Sequence, residues 1–359
     1  MLRQVTPIAS RLVVQAKSTA KRHGLRYVND ATPGLTRKRV GAKSFRYFDA
    51  RGKPVRDAKT LARIKSLVIP PAWTDVWICP DARGHLQATG RDERGRKQSR
   101  YHPDFRAARD EAKYDRVIDF AKALPSLRKR VQRDLKKPGL PREKVLATVV
   151  ALIEKTLARV GNDEYAKSNK SFGLTTIENR HARVKGSEVV FRFVGKHGVQ
   201  HELSVRSGPL ARVVRKCQEL PEQQLFEYVD DSGHRRDVKS DDVNAYLREV
   251  TGQDFTAKDF RTWAGTVLAA TALRACESCD SESARRKNVV AAIEFVAKRL
   301  GNTKAVCRKC YVHPAIVTRY VDGSLAKSIA RKAQSGATLR GLKDEERAAL
   351  RVVQRALRK

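Results

Sequence analysis

The chain has 359 residues, 41% of them hydrophobic, enough to fill two ordinary cores and unlike the make-up of a disordered protein. Lysine and arginine number 75 against 39 acidic residues, a formal net charge of +36 spread along the whole length. This points to a polyanionic partner, nucleic acid first, and the absence of any apolar run near the roughly 20 residues of a membrane-spanning helix leaves no expectation of membrane insertion.

In chain order, the first 29 residues contain no acidic residue. Organellar transit peptides share that feature, but the rest of the chain is equally basic, so a mobile basic arm over residues 1–24, lying beside DNA, is the expectation. Residues 25–110 read as a small β-rich domain of short strands and turns, with Phe45-Arg46-Tyr47-Phe48, Val68-Ile69-Pro70-Pro71-Ala72-Trp73 and Val76-Trp77-Ile78 as its apolar runs. From Asp104 the pattern becomes a long charged helix through Arg130, broken by Lys137-Pro138-Gly139-Leu140-Pro141. A helix from Lys144 to Leu157 follows, with Val145, Val149, Leu152 and Ile153 at helical spacing. The segments Ala182 to Val184, Val189 to Val194 and Gln200 to Val205 predict a three-stranded antiparallel meander with turns at glycines, the one β interlude of a mainly helical domain over 111–323. Residues 324–359 read as a basic, amphipathic helical extension whose role the sequence leaves open. The predicted class is α+β, and six cysteines without a secretory apolar segment suggest free thiols in a reducing cytoplasm.

Four pieces of the second domain can carry chemistry. Thr256 and Asp259 have capping-box spacing ahead of an apolar stripe of Phe260, Trp263, Ala264, Val267 and Leu268, which leaves Lys258 and Arg261 three apart, off the stripe and near a helix start that favours an anion. Arg159 ends the predicted helix, with Gly161 as its C′ residue. Lys196 stands at the hairpin tip Gly195-Lys196-His197-Gly198. A helix from about Ser283 to Leu300 ends at Gly301, Thr303 caps a short new helix, and Tyr311 sits at its far end before Pro314. Taken singly each has an ordinary explanation: solvated charges, a cap for helix carbonyls, a soluble hairpin end, a tyrosine packed in a core.

Together, in this order, they resemble the type IB DNA topoisomerases of the bacterial and poxviral kind, over nearly the whole chain from Gly34 to about Tyr320. In the first domain the resemblance rests on Ile69-Pro70-Pro71-Ala72-Trp73, Val76-Trp77-Ile78, Gly84-His85-Leu86-Gln87-Ala88-Thr89-Gly90 and Gly95-Arg96-Lys97-Gln98. In the second it rests on Arg159-Val160-Gly161-Asn162, Ser171-Phe172-Gly173-Leu174-Thr175-Thr176, Phe193-Val194-Gly195-Lys196, Lys258-Asp259-Phe260-Arg261-Thr262 and the Tyr311 segment.

By position the resemblance implies Arg159 and Arg261 as phosphate-binding arginines, Lys196 as general acid and Tyr311 as nucleophile, with Tyr165 and Lys258 as accessory positions. Asn302 stands where viral members have histidine; either side chain can donate to a non-bridging oxygen. His85, Gln87, Gln98 and Tyr101 become candidate DNA contacts, although His85 and Tyr101 also suit satisfied core positions. Ser99 replaces the aromatic residue usual after the glutamine of the Gly-Arg-Lys-Gln motif. The resemblance further implies a C-shaped clamp round double-stranded DNA, relaxation of supercoils without ATP, metal or other cofactor, no membrane and no obligate protein partner, and a monomer of the cytoplasm associated with the nucleoid.

Three other readings fit part of the pattern. A tyrosine recombinase shares the arginines, the basic hairpin residue and the tyrosine, but usually has histidine where Lys258 stands. A zinc-containing DNA-binding module is suggested by Cys276-Glu277-Ser278-Cys279 and Cys307-Arg308-Lys309-Cys310, two C-x-x-C pairs. Against it, the second pair falls inside the short helix that ends at Tyr311. A purely architectural basic protein accounts for the charge and for nothing else.

Overall fold

Short β-prone runs in the first part of the chain pair into one antiparallel sheet. The computed structural model describes residues 8–41, 44–221, 223–230, 232–276, 281–330 and 340–356. It divides into two compact units, Met1–Asp115 and Arg116–Lys359.

The first unit comprises α1 (Ile8–Arg22), β1 (Leu35–Arg39), β2 (Phe45–Phe48), α2 (Ala58–Ser66), β3 (Thr74–Ile78), β4 (Leu86–Arg91), β5 (Lys97–Tyr101) and the first part of α3 (Pro103–Asp134). The sheet order is β2-β1-β3-β4-β5, antiparallel throughout. Asp57 caps α2 by accepting from the Thr60 N–H, and Ile64 from that helix joins Leu35, Val76, Ile78 and Ala88 in the core. Within the segment expected to be a mobile arm, the described residues Ile8–Arg22 form α1. Ala16, Thr19 and Ala20 lie at i, i+3 and i+4 on α1; Thr19 and Ala20 are buried, and Ala20 packs with Leu25 and Phe105.

The second unit continues α3 and adds α4 (Arg142–Thr156), α5 (Asp163–Asn169), β6 (Ala182–Lys185), β7 (Glu188–Val194), β8 (Gln200–Arg206), α6 (Gly208–Gln218), β9 (Glu227–Val229), β10 (Arg235–Asp237) and α7 (Ser240–Thr251). It closes with α8 (Ala257–Ala275), α9 (Glu282–Leu300), α10 (Lys304–Cys310), α11 (Pro314–Val321), α12 (Leu325–Ala330) and α13 (Asp344–Ala356). The meander β6-β7-β8 is present in the expected order, and the class is α+β as expected.

Four local expectations differ. The hairpin β9-β10 is a second β interlude; its strands are three residues long and β10 is exposed and charged throughout, so no alternation marks it. α4 is not one-faced: Lys144 to Ile153 are all buried, the pattern of a central helix. It ends at Thr156, with Leu157 left-handed at φ 59°, so Arg159 lies in the following loop instead of capping it. Residues 324–359 are not an appendage where they are described: α13 packs on α8, α11 and α12, and Ala349, Leu350, Val352 and Val353 are fully buried. Its buried positions fall on one helical stripe, which is why the sequence reads as amphipathic.

Candidate active site

Two glycines bring the Arg159 loop into place. A Cβ on Gly173 would lie 2.6 Å from both N and Cα of Gly161, whose φ is +118°, so the two loops meet backbone to backbone. The contact is locked by the Leu174 N–H donating to Arg159 O (3.0 Å) and by Thr175 donating to Val160 O through N–H (2.6 Å) and hydroxyl (3.0 Å). The same segment reaches the lysine hairpin, because the Phe172 N–H donates to Val194 O at 2.8 Å.

From that loop the Arg159 guanidinium donates through Nη2 to Gly301 O (3.0 Å) and to Asn302 Oδ1. Arginine has no acceptor, so this contact fixes the amide orientation, and Asn302 Nδ2 is left buried without a hydrogen-bond partner. It is a donor with no acceptor. Arg261, 4% exposed, donates to Leu157 O and, at 2.7 Å, to Leu300 O, tying the ends of α4 and α9 together. Its Nε is also buried without a partner, and its guanidinium carbon lies 5.2 Å from the Tyr311 ring centroid. The sequence grouped Lys258 with Arg261 on one face; the structure separates them, Lys258 exposed and Arg261 inside. α8 is packed by α4, α7, α9, α11 and α13, so residues beside its apolar stripe are covered too.

Among the described residues neither Arg159 nor Arg261 forms a salt bridge. Burial pulls the Arg159 pKa below its ordinary value, and the neighbouring Arg261 charge adds to the effect, while Tyr311 and Cys307 oppose it. Two guanidiniums held by carbonyls form a site with uncompensated positive charge and spare donors. An oxyanion completes it chemically.

Tyr311 is set by its own helix. Thr303 Oγ1 accepts from the Val306 N–H to start α10, and the Tyr311 N–H donates to Cys307 O (2.9 Å) to end it. Thr266 on α8 then holds the turn, its hydroxyl accepting from the His313 N–H (3.1 Å) and sharing its proton between Thr262 O (2.9 Å) and Tyr311 O (3.3 Å). Gly265 makes room for this, since a Cβ there would meet Tyr311 O at 2.6 Å. The ring itself is half-buried.

Lys196 is exposed at the β7-β8 tip, with Nζ 6.0 Å from the centroid of Tyr165 on α5. Arg159, Asn302, Arg261 and Tyr311 are thus brought together, Lys196 is brought to Tyr165, and Lys258 stays at the exposed start of α8. A residue that the sequence does not single out is His201 on β8, half-buried, with its pKa lowered by burial first and then by the charges of Arg159 and Arg261. Nothing in its local sequence marks it.

In the first unit, two candidate contacts are turned inward. His85 is 5% exposed, stacked on Tyr27 at 4.6 Å, and its Nδ1 accepts from the Val28 N–H. Gln87 is 2% exposed; it accepts from Arg63 and donates to the carbonyls of Asp81, Ala82 and Gly84. Both are thus buried and hydrogen-bonded within the unit. Gln98 and Tyr101 are half-buried, the first bonded to Asp92, the second packed on Phe105 under Arg109.

Of the two C-x-x-C pairs, Cys279 lies outside the described residues. Cys307 is fully buried in α10, where burial pushes its thiol up while Arg261 and Arg159 act against that shift.

The family model "Eukaryotic DNA topoisomerase I, catalytic core" matches residues 102–335, and "Bacterial DNA topoisomerase IB, N-terminal domain" matches residues 44–92. The DNA topoisomerase 1B of Acanthamoeba polyphaga mimivirus is 31% identical over 286 residues, covering 78% of this chain and 85% of that protein. The DNA topoisomerase 1B of Vaccinia virus (strain Copenhagen) is 23% identical over 269 residues, covering 72% and 81%. The DNA topoisomerase I of Monkeypox virus matches to the same extent. A match running through both units, over a site built from arginines without acidic partners and a tyrosine at a helix end, leaves one conclusion: the chain belongs to the type IB DNA topoisomerases.

Proposed function

We propose that Tyr311 is the nucleophile with which this topoisomerase opens and reseals one strand of duplex DNA, and that Arg159, Arg261 and Asn302 bind the phosphate under attack. A phosphodiester gains negative charge as a fifth oxygen approaches phosphorus, so donors fixed in advance act more strongly on the transition state than on the ground state. The observation that carries the reading is a pair of guanidiniums, Arg261 buried beside the Tyr311 ring and Arg159 half-buried, neither with a carboxylate partner among the described residues, together with the unpartnered Asn302 amide nitrogen.

In the proposed step Tyr311 Oη bonds to phosphorus and gives its proton to solvent, the bond from phosphorus to the 5′ oxygen breaks, and that oxygen takes a proton from Lys196. Lys258 assists as an accessory cation. The product is a 3′-phosphotyrosyl ester and a free 5′ hydroxyl. The ester keeps the free energy of the broken bond, so resealing runs the same steps backwards without ATP or metal. Tyr165, Gln98 and Tyr101 contact the duplex, and His85 and Gln87, buried in the first unit, act with them through the sheet. No helix among the described residues is long and apolar enough to cross a membrane. The chain works as a monomer on chromosomal DNA in the cytoplasm.

Purified protein with supercoiled plasmid, EDTA present and ATP absent, is expected to give relaxed topoisomers. Plasmid left supercoiled across a salt series contradicts the proposal.

A further inference from the structure

His201 faces Phe193 across the β7-β8 ladder, with ring centroids 5.2 Å apart, and the free edge of its imidazole lies against two glycines. Gly195 precedes Lys196: a Cβ built on it would lie 2.5 Å from His201 Cδ2 and 2.6 Å from Nε2. Gly301 precedes Asn302: a Cβ there would lie 3.0 Å from His201 Cε1 and 4.0 Å from Arg159 Nη1. One ring therefore separates the base of the lysine hairpin from the turn that holds Asn302 and accepts from Arg159. The hairpin base is closed at that point by the Gly195 N–H donating to Val199 O (2.8 Å). Lysine has a flexible stem, so the place its ammonium can reach depends on where this backbone stands.

We propose that His201 is a positioning residue for strand cleavage: by filling the space between Gly195 and Gly301, its ring sets the distance from the Lys196 hairpin to the Arg159–Asn302 phosphate cradle. The inference rests on the reading of Lys196 as the proton donor to the 5′ oxygen. The ring acts by shape, and as a neutral group. Burial and the charges of Arg159 and Arg261 both oppose its protonation. A displacement on the order of 1 Å of a catalytic group can slow a reaction by about 100-fold.

The test is single-turnover cleavage of a short duplex carrying either the natural oxygen or a bridging sulfur at the 5′ position of the scissile link. A thiol has a pKa of about 8.5, far below that of an alcohol, so the sulfur leaves without a proton donor. His201→Ala is expected to cleave the oxygen substrate about 10- to 100-fold more slowly, while the sulfur substrate stays within about 3-fold of the wild type. DNA affinity, measured in a Tyr311→Phe background, is expected to be unchanged. His201→Phe keeps the ring and restores most of the rate. Equal losses on both substrates, no loss on either, or a His201→Phe variant as slow as His201→Ala overturns the inference.

Gly195→Ala tests the same contact without removing the ring, and carries the test should His201→Ala fail to fold. The backbone there, at φ −94°, accepts an alanine, so the added methyl acts through His201. It should show the same loss confined to the oxygen substrate, and the double variant should be no slower than His201→Ala, since removing the ring removes the clash. Losses that multiply contradict the shared contact. Lys196→Ala, run alongside, separates the two levels. If sulfur does not rescue Lys196→Ala, the reading of Lys196 has failed and the inference with it; if sulfur rescues Lys196→Ala but not His201→Ala, only the inference about His201 falls.

Discussion

Arg159 and Arg261 donate to main-chain carbonyls and an amide, whereas Arg128, in the same unit, is neutralised by Glu154 and Glu346. In the function proposed above, the contrast is that between a phosphate-binding cation and a structural one. A carboxylate partner would compete with a phosphate, while a carbonyl orients the fork and leaves its charge in force. Arg261→Lys keeps the charge but cannot hold Leu157 O, Leu300 O and a phosphate oxygen in one plane, so cleavage should fall by about 100-fold or more while affinity for duplex DNA changes little. Rapid-quench cleavage and a binding titration on the same duplex check this; equal cleavage rates would remove Arg261 from the phosphate. The arginines are legible in the sequence only through the ordered set of motifs. What a single sequence does not carry is the face each side chain takes: Arg261 reads as surface beside an apolar stripe and is buried because five helices cover α8, and His85 and Gln87 are drawn inward by Tyr27 and Arg63, partners distant in sequence.

Elements whose ends are fixed by neighbouring residues are legible in the sequence, for a physical reason. The Thr256–Asp259 box, the Thr303 cap and the Gly301 stop each depend on hydrogen bonds or backbone angles within a few residues. The role of α13 depends on partners far away in sequence, and its own residues read only as an extension. Glu346 shows how it is tied in: Arg128 on α3 donates to both carboxylate oxygens, at 2.6 and 3.0 Å, and the Lys343 N–H donates at 2.8 Å. Burial raises the Glu346 pKa, but these donors more than offset it and hold the group below its ordinary 4.5. The unfolded chain therefore takes up this proton at a higher pH than the folded chain. The contribution is whole above about 4.5 and is lost as pH falls through the depressed value. Glu346→Gln should cost about 1.5–3 kcal/mol at pH 7, and the gap to the wild type should narrow as the pH falls below the ordinary 4.5. Urea denaturation of both proteins across that range measures it; a gap independent of pH would show that the charge of Glu346 contributes nothing.

For the whole molecule the dominant quantity is the net charge of +36, which favours binding to a polyanion. Binding of the Tyr311→Phe variant to duplex DNA should weaken by about 10³ to 10⁵ between about 50 and 200 mM salt if roughly six to ten phosphates are neutralised, whatever the sequence of the duplex. A filter-binding series in salt gives the slope, and a flat response would mean that the basic surface does not face DNA. Charge alone, however, fits an architectural protein as well as an enzyme. The two are separated by covalent chemistry at one residue. A duplex nicked so that the cleaved fragment diffuses away should leave the protein joined to DNA through a 3′ phosphate, with the adduct on the peptide containing Tyr311 by mass and none formed by Tyr311→Phe. An adduct on another residue, a 5′ linkage, or an adduct that persists in Tyr311→Phe would contradict the account.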